Sequence, residues 1–255
     1  MTSDATKQTD SVAEESVTER ELSESDRLAE LVGGVRHVLF DFDGPICRLF
    51  AGWPAPMIAR EQVHWLDAQG LGETLTPAER TDEDPHIALR SLGNQRPESD
   101  LVIEMEKRLT AQELRAVRSA WPTEYADPLI RTWTAVGARL AITTNNSPEA
   151  ARRYIESRGL SACFEPHIYG RGQNLRLLKP DPYCLNRALR AMGAAPSGAL
   201  MIGDTPTDLY AAQAAGVAFL GYARHERKAG LLRDAGAQHV IGSLELILTA
   251  LRAPS

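Results

Sequence analysis

The chain has 255 residues, 43% of them hydrophobic and 24% charged, with a formal net charge of −6. That is globular usage with enough apolar material for one large domain or two modest ones. It excludes a membrane span, because no apolar run nears the roughly 18 residues required, and it argues against a disulfide framework, because Cys47, Cys163 and Cys184 are scattered and odd in number.

The charge is unevenly placed. Residues 1–30 carry nine acids against three bases, so the remainder is neutral overall and has no basic block suited to nucleic acid. Residues 1–33 read as an acidic, disordered tail, since so few large apolar groups cannot offset the entropy of ordering. Within it, residues 23–32 allow a helix that Gly33 and Gly34 would stop. The first residues lack the cationic end and apolar stretch of a secretory signal, and a cytoplasmic location is expected.

From residue 34 onward, short apolar runs alternate with amphipathic helical patterns. Residues 38–40, 140–143, 199–202, 218–220 and 239–241 read as strands of a parallel sheet covered on both faces. The expected fold class is therefore α/β, a Rossmann-like core over 34–47 and 128–255. Ser147, Asp181 and Thr205 each precede a proline suited to a first helical position, and Gly159, Gly193 and Gly216 are suitable stops. Residues 48–127 show helical periodicity and no strand, and read as an inserted all-helical cap. Following the first strand directly, the cap would stand over the carboxyl ends of the strands, where open α/β sheets bind ligands.

Four polar segments fall at strand ends or helix starts. In Asp41-Phe42-Asp43-Gly44, residues two apart in an extended segment point the same way, so both carboxylates would face one site and Phe42 the core. Such a pair repels unless a cation or a proton lies between them; the plainer alternative is an acidic turn before a glycine. In Ile142-Thr143-Thr144-Asn145-Asn146, Thr144 with Asn145 beside it could donate to a phosphoryl oxygen at the start of the next helix, or the segment is ordinary turn chemistry capped by Ser147. Lys179, in Leu178-Lys179-Pro180-Asp181-Pro182, is one of only four lysines against 24 arginines. Its compact charge fits between a carboxylate and a phosphoryl group better than a guanidinium fork does, though a solvent-facing lysine would read the same way. In Gly203-Asp204-Thr205-Pro206-Thr207-Asp208, Asp204 is placed to complete an oxygen-ligand magnesium site with Asp41 and the main-chain carbonyl of Asp43. Thr205 is the cap of the next helix, and Asp208 serves either as its capping partner or as support behind the metal, two compatible parts.

In this order, DFDG, ITTN, LKPDP and GDTPTDLYAAQAAG resemble the four signature motifs of the haloacid dehalogenase-like hydrolase superfamily, over about residues 35–245. The resemblance implies a phosphatase with a helical (C1-type) cap. Asp41 would be the nucleophile that becomes an aspartyl phosphate, and Asp43 the acid and base. Thr144, Asn145 and Lys179 would hold the phosphoryl group, and Mg2+ would be held by Asp41, Asp43 and Asp204, supported by Thr205 and Asp208. Dehalogenation in this superfamily generally does without the second aspartate, and phosphonate cleavage uses a cap lysine, whereas residues 48–127 hold only Lys107 on a solvated face. The expected function is magnesium-dependent hydrolysis of a small phosphorylated metabolite. A sugar phosphomutase of the same superfamily and a catalytically idle binder of phosphorylated ligands remain as alternatives.

Helical-cap relatives often continue the first motif as Gly-Thr-Leu-x-Asp, where this chain has Gly44-Pro45-Ile46-Cys47-Arg48. Arg48 is thus either a contact for an anionic part of the substrate or a surface arginine paired with an acid. The glycine-containing basic loop 170–176 could border the substrate but reads better as a mobile connection, and His64, Trp65, His86 and Arg90 are candidates to read the substrate that fit packing or surface roles better. Oligomeric state is left open.

Overall fold

The structure is a computed structural model and describes residues 24–252. In chain order, α1 (Glu24–Gly33) leads to β1 (His37–Phe40) and a two-residue strand β2 (Cys47–Arg48). The insertion follows, with helices α2 (Ala55–Ala68), α3 (His86–Gln95) and α4 (Asp100–Val117), and ends in β3 (Trp121–Pro122). Then come α5 (Ala126–Ala135), β4 (Arg139–Thr143), α6 (Pro148–Ser157), α7 (Ser161–Phe164) and β5 (Ile168–Tyr169). The chain finishes with α8 (Tyr183–Met192), β6 (Ala199–Gly203), α9 (Pro206–Ala215), β7 (Ala218–Tyr222), α10 (Glu226–Asp234), β8 (Val240–Ile241) and α11 (Glu245–Arg252).

Six strands form one parallel sheet in the order β5-β4-β1-β6-β7-β8, which is the expected α/β core. Alternation along β1 explains its two covered faces. Val38 and Phe40 bury against α1, α5, α6 and α11, where Phe40 meets Trp133 and Phe164 edge-on at 5.8 and 6.1 Å. Leu39 points the other way, onto Leu185, Ala188 and Leu189 of α8 and Ala211 of α9. Ser147 and Thr205 cap α6 and α9 with their side chains, and Gly193 and Gly216 end α8 and α9 in the left-handed conformation, as read from the sequence.

Two expectations shift. Within the stretch 1–33 read as a disordered tail, the helix allowed over 23–32 is present as α1, because Leu28 and Val32 find apolar cover in the main core, so 24–33 are not disordered; residues 1–23 lie outside the described ones. The insertion is also not free of strands, since β2 and β3 pair antiparallel as its two stalks, Cys47 opposite Pro122 and Arg48 opposite Trp121. Two-residue strands carry no periodicity to read.

The helices of the insertion have a small core of their own, including Ile58, Leu66, Leu89, Leu92, Met105 and Leu109, into which Leu175 and Leu178 from the sheet domain are also packed. A Cβ on Gly93 would lie 2.6 Å from Leu175 Cδ1, so glycine lets this helix sit against Leu175 without displacing the leucine methyl. This seats the cap on the loop that leads to Lys179. Among the described residues, no helix is long and apolar enough to cross a membrane.

Candidate active site

The site is assembled from the carboxyl ends of β1, β4 and β6, which are adjacent in the sheet. The Asp41 amide continues the ladder by donating to Ile202 O at 2.8 Å, and Phe42 is fully buried edge-on to Tyr154 at 5.6 Å. With Phe42 anchored, Asp41 and Asp43 line one cavity, as their spacing predicted. Gly44 then turns at φ +119°, and a Cβ there would overlap the Asp204 carboxylate, so only glycine lets the two loops meet.

Lys179 is the centre of the charge arrangement. Its buried Nζ donates to Asp41 Oδ1 at 2.8 Å, to Thr143 O at 2.9 Å and to Asp208 Oδ1, so all three ammonium donors have partners. Burial alone would favour the neutral amine, but Asp208 and Asp41 reverse this and hold the lysine above its usual range. The other Asp208 oxygen accepts from the amides of Asp204 and Thr205 and from the Thr205 hydroxyl, at 3.1, 3.0 and 2.8 Å. One carboxylate therefore both caps α9 and faces the site.

Asn145 joins the second segment to the third. Its side chain donates to Lys179 O at 3.1 Å and accepts from Lys179 N at 2.8 Å, which assigns it to positioning the lysine. Thr144 is buried at the cavity wall, its hydroxyl donating to Asn146 Oδ1 at 3.1 Å. Asp43 accepts the Leu49 amide at 2.8 Å; burial raises its pKa to about 6, with that amide opposing and the Asp41 charge adding.

Carboxylate oxygens of Asp41, Asp204 and Asp208 lie within 4.8 Å of one another, all three residues buried. Lys179 balances two of them, and the third, Asp204, is approached by Lys228. Burial still pushes Asp204 up to about 8, against the pull of Lys228 and with the push of Asp41 and Asp208. A cluster of hard oxygen donors carrying more negative charge than its neighbours neutralise fits a divalent cation such as Mg2+.

The cap supplies the opposite wall of this cavity of about 290 Å³ with Asp84 and His86. His86 Nδ1 lies 2.8 Å from Asp84 Oδ1, and its Nε2 is 3.4 Å from Glu113 Oε1. Burial would lower its pKa, but the two carboxylates outweigh that and raise it to about 9. Arg48 does not line this cavity; it stacks 5.1 Å from the Trp121 ring centre and lines an adjoining one.

Sequence reasoning missed Lys228, Glu113 and Arg171, and weighed His86 as a substrate contact only to favour packing or surface. Lys228 had a signal, being one of the four scarce lysines. Glu113 had another, standing in the i, i+4 stripe of Met105, Leu109 and Ala116, where an acid does not belong without a partner. The partner is Arg171, buried and ion-paired at 2.9 Å, so the basic loop read as a mobile connection is fastened to the cap.

A family model for haloacid dehalogenase-like hydrolases matches residues 35–216. Among curated proteins, a phosphoglycolate phosphatase from Rhodospirillum rubrum is 38% identical over 100 residues, 38% of this chain and 41% of that protein. A pyrophosphatase from Halalkalibacterium halodurans is 31% identical over 104 residues, 40% of this chain and 47% of that protein. The chain thus spans less than half the length of these curated relatives. Among solved structures, one titled a predicted phosphatase from Clostridium acetobutylicum shares the fold, with a TM-score of 0.63 and 18% identity over 85% of this chain and 98% of that one. The chain belongs to the haloacid dehalogenase-like hydrolase family.

Proposed function

We propose that the chain is a magnesium-dependent phosphatase that hydrolyses a small phosphate monoester by way of a phosphoryl group carried on Asp41. The observation that carries this reading is Lys179, whose buried ammonium holds Asp41 beside a second acid, Asp43, in one cavity. A carboxylate oxygen of Asp41 attacks phosphorus, the bond from phosphorus to the ester oxygen breaks, and Asp43 gives that oxygen its proton. Asp43 then takes a proton from water, the water oxygen attacks the same phosphorus, and the acyl phosphate bond to Asp41 breaks, freeing inorganic phosphate. The Lys179 charge beside Asp41 offsets the charge that the phosphoryl oxygens gain, Thr144 would turn its hydroxyl from Asn146 to meet them, and Asn145 holds Lys179.

Asp41, Asp204 and the main-chain carbonyl of Asp43 would hold the magnesium ion, with Asp208 and Thr205 behind them. When bound, the ion supplies charge that offsets the repulsion between an anionic nucleophile and a dianionic ester. The names of the relatives support hydrolysis of phosphoryl bonds, and a cavity of about 290 Å³ bordered by cap residues supports a small substrate.

The test is turnover of p-nitrophenyl phosphate. Saturable hydrolysis should require Mg2+, stop with excess chelator, and drop at least ~10³-fold in Asp41→Asn. If a broad set of phosphate esters shows no Mg2+-dependent hydrolysis above that variant, the reading is wrong.

A further inference from the structure

The cavity around Asp41 and Lys179 opens into a second one of about 350 Å³, which shares Asp43, Asp204 and Lys228 with it. Its wall differs in charge. Arg48 comes from β2, Arg224 and His225 from the turn between β7 and α10, and Lys228 from the first turn of α10. Among the described residues, the acids lining it are Asp43 and Asp204, both shared with the first cavity. A cationic annex therefore begins where the proposed reaction centre ends.

Three observations suit this wall to an anion. The Arg48 guanidinium lies over the Trp121 ring, its carbon 5.1 Å from the ring centre, a cation–π contact that does not itself use an N–H donor. Among the described residues, no carboxylate pairs with half-buried Arg48, although the chain's other buried or half-buried cations near the site, Lys179, Lys228 and Arg171, all have acidic partners; Arg224 is exposed, its Nη2 lying 3.4 Å from His225 Nε2. The third observation is the amino end of α10, a nine-residue helix whose cap residue His225 makes no side-chain capping bond. Uncapped amides at a helix start favour negative charge. The first-turn acid Glu226 is drawn off to Arg233 at 2.6 Å and leaves that end open.

We propose that this annex of Arg48, Arg224 and the start of α10 receives a second anionic group of the substrate. The phosphate ester handled by the chain then bears a carboxylate or another phosphoryl group a few atoms from the reacting phosphorus. This rests on the phosphatase reading of the neighbouring site. It also gives Arg48 its partner: a substrate anion in place of a protein acid.

The experiment compares kcat/KM for matched pairs: 2-phosphoglycolate against ethyl phosphate, and propane-1,3-diol bisphosphate against propyl phosphate, with p-nitrophenyl phosphate as reference. The wild type should favour at least one anionic member by about tenfold or more, chiefly through KM, and the better pair identifies carboxylate or phosphoryl as the second group. Arg48→Ala and Arg224→Ala should each bring that ratio toward one, and Arg224→Lys should restore part of it. Calorimetric binding of the same pairs to Asp41→Asn should show the same preference without turnover. Hydrolysis of p-nitrophenyl phosphate with no anionic preference in either pair, or a preference that both alanine variants retain, would remove the annex and leave the phosphatase standing. Absence of hydrolysis of any ester, matched by no phosphate-ester binding to Asp41→Asn, would remove both.

Discussion

Glu113 of α4 and Arg171 of the loop after β5 face each other through two hydrogen bonds of 2.9 Å, with neither side chain reaching solvent. Burying two charges is costly, and only a full set of further partners makes it tolerable. Glu113 also accepts from Asn146 Nδ2 at 3.0 Å and Ser147 N at 2.9 Å, and Arg171 donates to Asn145 O and to Thr110 Oγ1, both at 3.0 Å. The pair therefore ties the cap to the loop that carries Thr144 and Asn145. Glu113→Ala leaves the buried guanidinium with Glu106 as its one acidic partner, at 3.2 Å, and should cost about 3 kcal/mol in urea unfolding. Replacing both partners, Glu113→Leu with Arg171→Met, should cost clearly less than the two single changes added together. A loss below about 1 kcal/mol for Glu113→Ala would mean that the clamp carries little.

The same cluster predicts how stability depends on pH. His86 is held by Asp84 and Glu113 at a pKa of about 9, above its unfolded value of about 6.5, with Asp43 a more distant acid across the cavity. A raised pKa stabilises the folded state fully below pH ~6.5 and loses that contribution as the pH climbs through about 9. Glu113 is the opposite case. Burial would raise it, but Arg171 and then His86 hold it well below the usual carboxylate range, so its contribution is present above pH ~4.3 and is lost as acid protonates it. Melting temperature should thus fall between pH 6.5 and 9 in the wild type and fall less in His86→Gln. Parallel curves for the two proteins would show that His86 is not charged in the fold.

Lys179 offers a sharper substitution, because one ammonium balances Asp41 and Asp208 at once. Lys179→Met removes it and leaves two buried carboxylates face to face, so turnover of p-nitrophenyl phosphate should fall by at least ~10²–10³-fold. Lys179→Arg should recover little of this. A planar fork cannot reach Asp41, Thr143 O and Asp208 from the place of one compact ammonium. Activity in Lys179→Arg within a few-fold of wild type would show that only net charge matters there.

These residues also show where sequence reading reaches and where it stops. Asp41, Asp43, Thr144 and Asp204 were legible because each lies just past an apolar strand, and a parallel sheet sends such ends to one edge, whereas Lys179 stood out by the scarcity of lysines and Asp208 by its spacing from the cap Thr205. Four of the five strands read correctly have four or five residues and a mostly apolar run, and the fifth, β8, is as short as β5, which was missed where Ile168 and Tyr169 follow Pro166 and His167. Arg171 and Glu113 escaped because they are 58 residues apart, and nothing in local spacing says that a charge on an apolar stripe has a partner at that distance. Lys228 escaped for the same reason, since its contact with Asp204 crosses from one βα turn to the next helix. Local pattern thus found the groups that strands deliver, and missed those that long-range charge pairing delivers.

Gly44 tests whether the meeting of two of those loops matters in itself. Its φ of +119° strains any side chain, and a Cβ would in addition strike the Asp204 carboxylate. Gly137 supplies the control, with φ +88° and nothing within 4 Å of the added carbon. Gly137→Ala should therefore lose only the backbone contribution, on the order of 1–2 kcal/mol in urea unfolding, and keep its turnover. Gly44→Ala should lose at least as much stability and should also displace Asp204, lowering kcat for p-nitrophenyl phosphate by ~10-fold or more and weakening the dependence of activity on Mg2+ concentration. If the two variants lose equal stability and both keep wild-type kcat, then Asp204 tolerates the displacement, and the contact between the Gly44 turn and Asp204 does not set the geometry of the site.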